Sequence, residues 1–122
     1  MISKQKNAER MHRKQLKAEA ALLAARYPEV ASIVITMDYF QKNVDHRLMQ
    51  RTINIFPESS AYFLMECMRQ DCTNGGFNLE PVIAAMIGKR LKTGDGELSC
   101  AGNNALGHAR VNYRIDIAYN AS

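Results

Sequence analysis

The chain has no tryptophan, only three cysteines and three prolines, and no apolar run long enough to cross a bilayer, which takes about 20 residues. Each shortage excludes something. Cys67, Cys72 and Cys100 are too few and too unevenly spaced for a disulfide framework, so a reducing compartment would hold them as thiols or metal ligands. The first residues, Met1 to Lys6, lack the apolar stretch of a signal peptide, and a cytoplasmic location with no membrane partner is the expectation. Apolar residues make up 47% and charged residues 23% of the chain, which sets it apart from disordered, charge-rich sequences. A length of 122 residues fits a single domain spanning 1–122.

Positive charge is unevenly spread. Residues 1–26 carry seven basic against two acidic side chains, a balance of +5, whereas residues 27–122 carry nine against ten. The segment from Asn7 to about Arg26 holds no Gly or Pro and is rich in Ala, Leu, Lys, Gln, Glu and Arg, which predicts one long helix ended by Tyr27-Pro28. Its first half, to residue 17, is basic and poor in apolar anchors, so it is expected to project. Lys6, Arg10, Arg13, Lys14 and Lys17 are candidate polyanion-binding residues, because all but the first share a face at spacings of three or four.

Residues 32–40, 50–56 and 61–68 read as three strands, from their β-branched and aromatic runs and the stop at Pro57. A turn-rich stretch from Arg69 to Asn78 leads to a second helix over 79–91, capped by Asn78, with Glu80 and Pro81 in its first turn. Thr93-Gly-Asp-Gly96 reads as the turn after that helix, followed by a short strand over 97–101. The last strand, 109–119, alternates Val111, Tyr113, Ile115, Ile117 and Tyr119 with Arg110, Asn112, Arg114 and Asp116, so one face is buried and one wet. The order α-β-β-β-α-β-β predicts an α+β domain in two layers, with two helices on a mostly antiparallel five-stranded sheet.

Three thiols and an imidazole, Cys67, Cys72, Cys100 and His108, make a tetrahedral donor set for structural zinc. Local spacing is loose for a zinc finger, so convergence would have to come from the sheet. A parallel pairing of the third and fourth strands across the second helix would bring their ends to one edge. The competing reading is core thiols, since free cysteine is commonly buried and Cys67 and Cys100 share strand faces with apolar residues. A catalytic Cys–His pair would need a lowered thiol pKa, which Asp71 beside Cys72 opposes. Asn74-Gly75-Gly76 lacks the Gly-Lys-Ser/Thr of a phosphate loop, and its glycines suit a turn with positive φ.

The leading expectation is a non-enzymatic binding module that sets the basic helix against an acidic macromolecule or nucleic acid, on a domain stapled by zinc. Nucleic acid has less behind it, since the rest of the chain is neutral and shows no helix-turn-helix, RNA-recognition or finger motif. The alternatives are a small enzyme built on Cys72, Cys100 and His108, and a structural homodimer that covers Val34, Phe40, Tyr62 and Leu64.

Overall fold

Strand β1, Val30–Gln41, organises the fold: its residues alternate between full burial and partial exposure from Ile33 to Phe40. It pairs antiparallel with β2 (Met49–Ile55) on one side and with β6 (Ala109–Tyr119) on the other, and β6 pairs antiparallel with β5 (Thr93–Ser99). The sheet order is β2-β1-β6-β5. These relations come from a computed structural model that describes residues 4–41, 43–67, 76–100 and 109–121, excluding the side chains of Gln5 and Lys6.

Register fixes which side chains meet. Ile33, Ile35 and Met37 stand opposite Ile55, Ile53 and Arg51 on one side and Ile117, Ile115 and Tyr113 on the other. Because side chains alternate across a strand, these residues share one face, and that face carries the core with Tyr39, Val111 and Leu98. The opposite face presents Thr36, Asp38, Asn54, Arg114 and Asp116. The wet and buried faces expected for the last strand are thus observed. Val34 and Phe40 sit half-buried on the polar face, where the Arg110 guanidinium lies 4.4 Å from the Phe40 ring centroid.

The covering layer contains α2 (Leu23–Arg26), α3 (Glu80–Gly88), the segment 60–67 and the two-stranded ladder of β3 (Leu64–Met65) with β4 (Phe77–Asn78). The fold is α+β and antiparallel, as expected, but among the described residues the main sheet has four strands rather than five. Segment 61–67 keeps the alternation of a strand, with Ala61, Phe63, Met65 and Cys67 buried. Its backbone bonds go instead to the covering layer: the Leu79 N–H donates to the Phe63 carbonyl and the Ala61 N–H to the Ala21 carbonyl. Among the described residues the parallel crossover between the third and fourth strands is therefore absent, and β5 pairs antiparallel with β6.

The N-terminal helix is also divided. Helix α1 covers Lys4–Glu19, and the chain then extends through Leu22, which bridges to Ser60, before α2 begins. Ala and Leu favour a helix here, but the N–H groups of Leu23 and Ala24 donate to the carbonyls of Ser59 and Pro57, and these tertiary bonds override propensity. Arg26 then fastens the layer: it forms two bonds to the Glu80 carboxylate at 2.9 and 2.7 Å and donates to the Ala61 carbonyl.

The glycines of 93–96 lie within β5 rather than in a turn. A Cβ at Gly94 would meet the Met86 sulfur at 2.9 Å, and one at Gly96 the Tyr113 hydroxyl at 2.5 Å, so neighbouring side chains fill the space the glycines leave. Asn78 acts as foreseen, its Oδ1 accepting from the Glu80 N–H at the start of α3.

Candidate functional site

Helix α1 carries Arg10, Arg13, Lys14 and Lys17 on one side, and all four line a groove of about 410 Å³. The facing wall is the end of β2, with Arg51, Ile53, Asn54 and Ile55, and the third wall is Ser59, Ser60, Tyr62 and Leu64 to Glu66. The groove thus gathers five cationic side chains against the single carboxylate of Glu66. Of the sequence-predicted set, Lys6 belongs to α1, but its side chain lies outside the described residues.

Two of the cations are tied down. Arg10 pairs with Glu66 across the groove, and Arg13 pairs with Glu9 one turn back at 2.8 Å. Arg13 also passes over Gly76, where a Cβ would lie 3.2 Å from its Nη1. Lys14, Lys17 and Arg51 have no ion-pair partner among the described residues, so the groove keeps uncompensated positive charge.

Sequence reasoning did not single out Arg51. The signal was its parity: it alternates inward with Ile53 and Ile55, where an apolar residue belongs, and it faces Met37. It lies close enough to Tyr39 to oppose the main effect on that phenol, whose burial raises its pKa. Tyr62, expected on the far sheet face, instead lines the groove with Leu64. Its hydroxyl is buried and has no hydrogen-bond partner among the described residues.

The second candidate constellation is seen in part. Cys67 and Cys100 are buried, while Cys72 and His108 lie outside the described residues. Continuing the β3–β4 register one step sets Gly76 opposite Glu66, beside Cys67. The Gly76 N–H donates to Cys100 Sγ at 3.3 Å, and the Cys100 N–H donates to the Ala109 carbonyl at 2.9 Å. The Gly76 N–H thus reaches one of the two cysteines, and among the described residues the parallel crossover invoked to join them is absent. Among the described residues no group of three or more His, Cys, Asp or Glu side chains could hold a metal.

No helix among the described residues is long and apolar enough to cross a membrane. Compared with known proteins, the chain matches no protein-family model, no curated protein and no solved structure.

Proposed function

We propose that the protein is a non-enzymatic binding module that holds an acidic macromolecule in the groove between α1 and β2. The observation that carries this reading is the convergence of Arg10, Arg13, Lys14, Lys17 and Arg51, from two separate elements, on one concavity with one carboxylate in its lining. On a solvated helix face such cations would simply be screened by water and salt. Facing a concavity, they focus a positive field and raise both the local concentration and the association rate of an acidic partner. The Lys14→Glu/Lys17→Glu double variant changes exposed residues and should stay folded. Fluorescence anisotropy with labelled heparin oligosaccharide, a generic polyanion, should show wild-type binding that weakens steeply from about 50 to 200 mM salt and vanishes in the variant. Equal binding by the two proteins would refute the reading.

A structural zinc site held by Cys67, Cys72, Cys100 and His108 is a second reading, supported by the bond that the Gly76 N–H donates to Cys100 Sγ. An N–H donated to a sulfur is the kind of outer contact that steadies a thiolate ligand. Mass spectrometry under non-denaturing conditions tests it: one zinc per chain is expected, lost in Cys67→Ser and Cys72→Ser, with a chelator lowering the melting temperature. A metal-free chain whose melting temperature ignores chelator would leave Cys67 and Cys100 as core thiols.

A further inference from the structure

The groove runs along a free strand edge. Strand β2 ends the sheet, and no other backbone group bonds to Met49–Ile55 from the far side among the described residues. The lining borders that edge strand: Ile53, Asn54 and Ile55 are consecutive residues of β2, and all three line the groove. Along that edge alternate residues present unused N–H and C=O groups, which form a template for one more strand.

Edges exposed by chance are usually blunted. Strand β5, at the other end of the sheet, carries Gly94, Gly96, Asp95 and Glu97, which discourage pairing. β2 has no proline, glycine or acidic residue, its pairing with β1 continues over seven consecutive positions without a bulge, and its one charged residue, Arg51, is a cation that an acidic partner would neutralise. Ile53 and Leu64 give the lining apolar surface, and Arg51, on the same strand face as Ile53, adds a cation to those of α1. The Tyr62 hydroxyl, buried and without a partner among the described residues, belongs to the same lining.

We infer that the groove binds an acidic peptide in extended conformation, added as a fifth strand to the free edge of β2. The inference rests on the reading of the groove as a polyanion site and names its occupant. Strand addition accounts for what charge alone does not: backbone bonds to the edge supply affinity, and alternate side chains supply specificity, apolar ones toward Ile53 and Leu64 and acidic ones toward the cations. Single-stranded nucleic acid fits less well. It would leave the amide edge without matching donors and acceptors, and it would find a single aromatic ring, Tyr62, on which to stack a base.

The test uses a labelled peptide of alternating glutamate and valine and two N-methylated versions, one methylated on the valine amides and the other on the glutamate amides. In a strand these two sets of N–H groups point to opposite sides. Strand addition predicts that one version loses about tenfold or more in affinity while the other stays within about threefold of the parent, since only one set faces β2. Equal behaviour of the two versions would overturn strand addition, and so would an oligothymidylate of equal charge binding more tightly than the peptide. In both cases loss of binding in Lys14→Glu/Lys17→Glu would show that the groove reading survives. If that variant still binds the parent peptide as well as the wild type does, the groove reading itself fails.

Discussion

Replacing Gly76 by alanine tests whether the covering layer is held as tightly as its backbone geometry implies. Gly76 has φ of 126°, a region that side chains avoid, and a Cβ there would lie 2.5 Å from the Met65 carbonyl oxygen. That oxygen cannot retreat cheaply, because Met65 is paired with Phe77 and is itself nearly buried. Forcing an alanine into such a conformation costs about 1–3 kcal/mol, and losing the N–H bond to Cys100 adds about 0.5–1.5 kcal/mol. A destabilisation of about 2–4 kcal/mol is expected. Gly94→Ala is the control: its Cβ would also meet an atom too closely, at 2.9 Å, but that atom is the sulfur of Met86, a flexible side chain that can swing aside. A less flexible unfolded chain then offsets the adjustment by about 0.4–1 kcal/mol, which leaves the variant within about 1 kcal/mol of the wild type. Urea denaturation of the two variants measures the difference through their midpoints. Equal midpoints would refute the argument, since they would mean that the carbonyl of Met65 yields as readily as a methionine side chain.

Ile115→Ala, fully buried on β6 opposite Ile35 and Gly94, should cost about 2–5 kcal/mol in the same assay; a loss below about 0.5 kcal/mol would contradict its place in the core. Burial is the leading cause that raises the pKa of both Tyr39 and Tyr119 above their ordinary 10.0. The unfolded chain then loses these protons first, so stability is complete below about pH 10 and falls as pH rises beyond it. Tyr39→Phe should flatten that alkaline decline in pH-dependent denaturation. Tyr119→Phe should cost about 0.5–1.5 kcal/mol at neutral pH, because its hydroxyl donates at 2.7 Å to the Leu91 carbonyl just beyond α3; an unchanged midpoint would show that water replaces it without loss.

What the sequence disclosed was local. The alternation from Val111 to Tyr119 and the β-branched run from Ile33 to Thr36 mark strands because side-chain parity is written in adjacent residues. What it hid depended on distant ones. Ala20 to Leu22 look helical until Ser59 and Pro57 arrive to take the next N–H groups. Gly94 and Gly96 look like a turn until Met86 and Tyr113 are seen to fill the space beside them. Half of the groove was legible, since Arg10, Arg13, Lys14 and Lys17 recur at helical spacing. The other half, Arg51 and Tyr62, comes from segments whose position against α1 is set by tertiary packing. For the thiols, parity correctly put Cys67 with Phe63 and Met65, while the strand leading to Cys100 lies in an antiparallel ladder rather than a parallel crossover.

The neighbouring positions of β1 and β6 at the centre of the sheet bear on how the chain reaches this state. Ile35 pairs with Ile115, and Tyr39 with Val111, across most of the length of the sequence. Closing so large a loop costs entropy before any contact repays it, which makes folding slow relative to proteins built from local contacts. Hairpin β1–β2 can form early, but the backbone groups along the other edge of β1 stay unpaired until β6 docks. A nascent chain ending before residue 109 therefore leaves that edge of β1 open to other strands, and its fate depends on how long that interval lasts.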